Sequence, residues 1–136
     1  MGPIKPTTLA VLLLVFSLGC RQRASPSSVP VLTVGQFLLN PSQYVGKKIG
    51  LSGYFHVEYE QVVLFGSKED EANNNFDRAI WIYSSGRQEV NDMLSANKDS
   101  YVTIYGKITA DPKGEGHLRT LRFGMMDIYR VAPGLN

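Results

Sequence analysis

From Lys48 to Val57 apolar and polar positions alternate. Ile49, Leu51, Gly53, Phe55 and Val57 fall on one face, and Lys48, Gly50, Ser52, Tyr54 and His56 on the other. A period of two predicts a strand with one face in a core, and the glycines within it predict a bend. The same period marks Gln61–Phe65, then Arg78–Ser84 with Ile80, Trp81, Ile82 and Tyr83. It returns at Tyr101–Ala110, where Val102, Ile104, Gly106 and Ile108 alternate with Tyr101, Thr103, Tyr105 and Lys107. A fifth strand is expected over Leu118–Val131, with a register shift near Gly124. The period lengthens twice. Val34, Phe37 and Leu38 follow a capping Thr33 and predict a short helix ended by Asn40-Pro41. Val90, Met93 and Leu94 form one apolar face of a helix over Arg87–Ala96, with its cap at Ser85 or Gly86. Ser67–Asp77 (SKEDEANNNFD) reads as a long exposed loop, and Asp111–Gly116 as a turn-rich hairpin loop.

The expected fold is therefore mainly β: three strands, a helix, then two strands, with a short helix in front. This order resembles the OB-fold, a five-stranded Greek-key barrel with its helix between strands three and four. The segments Tyr44–Tyr54 and Val102–Ile108 are similar to the first and fourth strands of that fold. The resemblance implies a barrel domain over 31–136. The Gly53-Tyr54 pair and Lys68-Glu69-Asp70 are also similar to bacterial OB-like proteins, which implies no particular activity.

The first twenty residues follow a different rule. Met1–Thr8 carries Lys5, Leu9–Leu18 is an apolar run, and Gly19 and Cys20 close it. Ten residues as a helix span about 15 Å, half of a bilayer core of about 30 Å. The run suits a secretory signal better than a membrane span. Ser17-Leu18-Gly19-Cys20 resembles the lipobox of bacterial lipoproteins, although Ser17 and Leu18 depart from its usual aliphatic-then-small order. The resemblance implies cleavage after residue 19 and a palmitate-type lipid anchor on Cys20. It also implies a place in the cell envelope, and Arg21, where inner-membrane retention usually has Asp, implies the outer membrane in a Gram-negative cell. Arg21–Pro30 (RQRASPSSVP) reads as a flexible tether, so the expected divisions are 1–19, 20–30 and 31–136.

Composition narrows the chemistry. The chain is 43% apolar and 19% charged, which suits one small globular domain. The 14 basic residues, less Lys5 in the leader, leave 13 against 12 acidic ones. That balance argues against an electrostatic nucleic-acid binder. His56 and His117 stand far apart, Cys20 is the only cysteine, and Glu69-Asp70-Glu71 matches no calcium loop, so no metal or cofactor is expected. No catalytic motif such as Gly-x-Ser-x-Gly is present.

What remains is a binding or interaction module. Its expected surface is the outer face of the first three strands, with Tyr54, His56, Trp81 and Tyr83. An oligosaccharide that stacks on aromatics, or an envelope protein, is the expected ligand. Two rivals stand beside it: an enzyme on an envelope polymer using Glu58, Glu60 or Asp77, and a passive structural subunit of an envelope complex. Cys20→Ser is expected to release or mislocalise the protein, read by cell fractionation. Unchanged attachment would exclude lipid on Cys20 as the sole anchor.

Overall fold

The computed structural model describes residues 2–3, 28–59, 61–84, 86–110 and 121–134. Most of the expected leader, Cys20, the tether to residue 27, Glu60, Ser85, the 111–116 loop and His117 lie outside the described residues.

The described chain is mainly β, with six strands and three α-helices. They run β1 (Val31–Thr33), α1 (Val34–Leu39), β2 (Lys48–Glu58), β3 (Gln61–Phe65), α2 (Lys68–Ala72), β4 (Ala79–Ile82), α3 (Gln88–Ala96), β5 (Ser100–Ala110) and β6 (Phe123–Pro133). Turns of 3₁₀ helix, Pro41–Tyr44 and Phe76–Arg78, precede β2 and β4.

The predicted alternation is realised in β2, where Ile49, Leu51 and Phe55 are fully buried. One edge of β2 pairs with β5, antiparallel from Lys48↔Lys107 to Phe55↔Ser100. The other edge pairs parallel with β1 over Val31↔Gly50 to Thr33↔Ser52, and antiparallel with β3 over Tyr54↔Phe65 to Glu58↔Gln61. Strand β4 joins β3 antiparallel and β6 parallel, and β6 returns to β5 antiparallel. The pairings thus run β2, β3, β4, β6, β5 and back to β2. The main core lies inside this ring and includes Phe37, Phe55, Leu64, Ile82, Leu94, Ile104 and Met125. Fully burying one such side chain contributes about 1.5–3 kcal/mol.

Several local features differ from the sequence expectation, among them the strands expected over 78–84 and 118–131, which run Ala79–Ile82 and Phe123–Pro133. A sixth strand, β1, precedes the five expected; three residues are too short to show a period. The expected loop at 67–77 contains α2, whose N-cap Ser67 accepts a hydrogen bond from the Asp70 N–H through its hydroxyl (3.1 Å). Arg87, without a side-chain cap bond, starts α3 in place of Ser85 or Gly86. The capping expected at Thr33 is present in full: its hydroxyl accepts from the Gln36 N–H (3.1 Å), and the Gln36 side chain accepts from the Thr33 N–H (2.9 Å). The register shift expected near Gly124 is not there, where Thr109↔Gly124 pairs regularly; it lies between Tyr105 and Lys107 of β5, opposite Met126–Arg130 of β6, where Asp127 has φ 51°.

Gly53 lets β2 change partner from β1 to β3. A Cβ there would run into the Phe65 carbonyl oxygen and crowd Val34 and Leu64. Because the obstacle is backbone, little can yield. Gly53→Ala is expected to destabilise the domain by about 1–3 kcal/mol, read as a lower urea midpoint; an unchanged midpoint would show that β2 and β3 can separate at no cost.

Candidate functional site

The outward side chains of β2, β3 and β4 carry the expected binding residues, but the chain treats them unequally. Tyr54, Val63, Phe65, Ala79 and Leu121 form a second buried cluster, with Phe76 and Trp81 packed against it. Register explains the grouping: Tyr54 lies across from Phe65, Phe65 from Ala79, and Val63 from Trp81. The segment containing α2 borders this face. The Lys68 N–H donates to the Tyr101 hydroxyl (3.0 Å), and the Tyr101 ring meets that of Tyr54 at 5.3 Å, edge on. Burial first, then the Asp99 and Glu71 carboxylates and Tyr101, push the Tyr54 hydroxyl above its ordinary pKa. Tyr54 is only 8% exposed, so it supports this face from within and offers little surface to a ligand.

The acidic run in α2 divides its work. Asp70 is held in a network: it accepts from the Ser67 hydroxyl (3.0 Å), the Asn75 amide (3.1 Å) and Arg78 Nε (3.2 Å). Glu71 turns instead toward His56, its Oε1 3.6 Å from Nδ1. His56 Nδ1–H donates to Asp99 Oδ1 (2.9 Å), and Nε2 lies 3.4 Å from Glu58 Oε2. Carboxylates only accept hydrogen bonds, so an arrangement with one at each ring nitrogen suits the doubly protonated imidazole. Partial burial pulls the His56 pKa down, but the bonds to Asp99 and Glu58 and the charges of Glu71 and Asp99 outweigh it, and the net shift is upward. Asp99 holds its position with φ 55°, in the left-handed region that Asp tolerates better than most residues. His56 is thus a half-buried ionic hub. Neither Glu71 nor Asp99 was foreseen as its partner. Asp99 is 43 residues away in sequence, and no local pattern signals such a contact.

Trp81 and Tyr83 remain half-buried on β4 and just beyond it. Their rings meet edge on at 6.2 Å. Gly124 of β6 pairs with Trp81 and lies against the Tyr83 ring. Ala79, two residues back on the same strand face, lines a cleft of about 400 Å³ with Leu38, Pro41, Phe76, Asp77, Arg122 and Phe123. The structure therefore brings Trp81 and Tyr83 together, with Trp81 packed against the cluster that holds Tyr54 and in one cross-strand row with Val63 and His56.

The acids named for the enzyme reading also part company. Glu58 engages His56 at the Gln61 end of β3, whereas Asp77 lines the cleft at the Phe65 end. Those ends are four residues, about 13 Å, apart along the strand. Among the described residues, no group of three or more His, Cys, Asp or Glu side chains has an arrangement that could hold a metal ion. No helix among them is long and apolar enough to cross a membrane. Neither protein-family models, nor curated proteins, nor solved structures match the chain.

A histidine raised by folding stabilises the folded state fully below its unfolded pKa, and that contribution is lost as pH rises through the folded value. The urea midpoint is therefore expected to fall as pH rises from about 6.5, the unfolded pKa of histidine, through the higher folded pKa of His56. His56→Gln should flatten that fall; an equally steep fall in the variant would assign it to another group.

Proposed function

We propose that this chain is an envelope lipoprotein, anchored through Cys20, whose domain binds an oligosaccharide on the outer side of β4. The observation that carries the binding reading is the Trp81–Tyr83 pair, on the same strand face as Ala79, which lines the cleft of Asp77 and Arg122. Two half-exposed rings offer apolar faces to the C–H side of a sugar, while the flanking carboxylate and guanidinium offer hydrogen bonds to its hydroxyls. The near-neutral composition favours such a ligand over a polyanion such as nucleic acid.

The domain is best read as a five-stranded OB-like Greek-key barrel with β1 added. The ring order β2, β3, β4, β6, β5, the parallel β4–β6 pair and the position of α3 between β4 and β5 support that reading. The leader pattern supports the anchor. The 13 Å separating the Glu58 and Asp77 ends of β3 favours binding over hydrolysis, because paired-carboxylate chemistry needs both groups across one cleft at about 5–10 Å.

Trp81 is the only tryptophan, so its emission reports this surface alone. Titrating the detergent-solubilised protein with cell-wall oligosaccharides is expected to change that emission saturably. Tyr83→Ala should weaken the binding about tenfold, the loss expected of one central aromatic contact. Emission that responds to no oligosaccharide, or identical affinity in the variant, would refute the assignment.

A further inference from the structure

Across the ring from β4, the outward face of β1, β2, β5 and β6 carries a different surface. Its central row follows the register Val31↔Gly50↔Tyr105↔Arg130, and the next row is Lys48↔Lys107↔Met126. Gly50 has no side chain, and the Tyr105 ring lies over it; a Cβ there would strike the ring and touch Val31. Tyr105 in turn meets Tyr129 at 6.1 Å. The Arg130 guanidinium lies 5.1 Å from the Tyr105 ring centre, and Lys48 Nζ lies 5.8 Å from that of Tyr129. Tyr129, Val31 and Met126 are each about 40% exposed. Three cations thus frame two tyrosines and two aliphatic side chains. The one acid in the sequence of β1, β5 and β6 is Asp127.

We propose that this face rests on a bilayer bearing anionic headgroups. Tyrosine suits that interface because its ring is apolar and its hydroxyl polar, and lysine and arginine are drawn to the anionic surface. Cation–ring packing holds the charges at the level of the rings. The route of the chain selects this occupant. The N-terminal segment enters the domain within the patch itself: the Gly50 N–H donates to the Pro30 carbonyl (2.9 Å), and Val31 belongs to its central row. Ten residues separate Cys20 from Val31. Ten residues behaving as a flexible linker would have a mean span of about 16–19 Å. A lipid on Cys20 would therefore keep this face, where the chain enters the domain, within reach of the membrane.

The proposal rests on the lipoprotein reading for its geometry, and the test separates the two. The Cys20→Ser chain is mixed with vesicles of phosphatidylcholine alone or with one third phosphatidylglycerol, and binding is read by sedimentation. Anionic vesicles are expected to bind it roughly 100-fold more tightly, since each cation contributes about fivefold. Lys48→Gln, Lys107→Gln and Arg130→Gln should each remove about fivefold, with unchanged Trp81 emission showing an intact fold. Equal binding to both vesicle types, or variants without effect, would overturn the proposal. So would a dimer that the same variants dissociate, or full competition by a soluble polyanion, either of which would give the face another occupant. Mass spectrometry of the wild-type chain from membranes reports separately on Cys20. A Cys20 without lipid beside charge-dependent vesicle binding would refute the anchor and leave the patch standing.

Discussion

The pairing of β2 with β5 is the constraint on which the rest of the molecule depends. It joins Lys48–Phe55 to Ser100–Lys107 and returns the sheet to its first long strand. Without it, β5 and β6 would extend away from β2, and Ile49, Leu51, Val102 and Ile104, all fully buried, would lose their common interior. Closure requires β2 to serve two partners on its other edge, β1 at its start and β3 at its end. Gly53 stands at the changeover, where backbone from β3 passes too close for any side chain.

Closure also decides what becomes of the outward residues. A sheet wrapped around one core leaves its second face to be covered or used. On β2 and β3 the face is covered, because the segment from Ser67 to Arg78 brings Phe76 against Phe65 at 5.7 Å and sends Glu71 toward His56. On β5 and β6 the face keeps exposed tyrosines. The same alternation of residues therefore has two outcomes, set by whether another part of the chain lies over it.

This explains how far the sequence could be read. Period-two alternation located β2, β3 and β5 to within a residue or so, because one face of each is fixed by the core. The Thr33 cap was legible because the N–H it accepts from lies within one helical turn; the reciprocal bond from the Gln36 side chain came only with the structure. Tyr54 was not legible as a buried residue: alternation tells which face it occupies, and only the position of α2 and Tyr101 tells that the face is covered. The His56–Asp99 contact was hidden for the same reason, as was the Tyr105–Tyr129 pair, whose register depends on an irregularity that follows no sequence period. In the polar stretch at 67–77, local hydrogen bonding of Ser67 and Asp70 outweighed its loop-like composition and formed a helical turn.

Closure finally relates the two proposed surfaces to each other. In the ring β2, β3, β4, β6, β5, strand β4 lies two steps from β2 by way of β3 and two steps from β5 by way of β6. In strand order the seam where β2 meets β5 is therefore the part of the ring farthest from β4. The cationic tyrosine face is centred on that seam, and the N-terminal segment enters there; Trp81 and Tyr83 belong to the opposite side. A domain lying on its seam would turn the aromatic pair and its cleft directly away from the bilayer, toward polymers beyond the headgroups. A domain swinging freely on its tether would present the pair in every direction, including into the membrane. On the proposed bilayer contact the basic face would give the aromatic face its orientation, and both positions follow from one closure of the sheet.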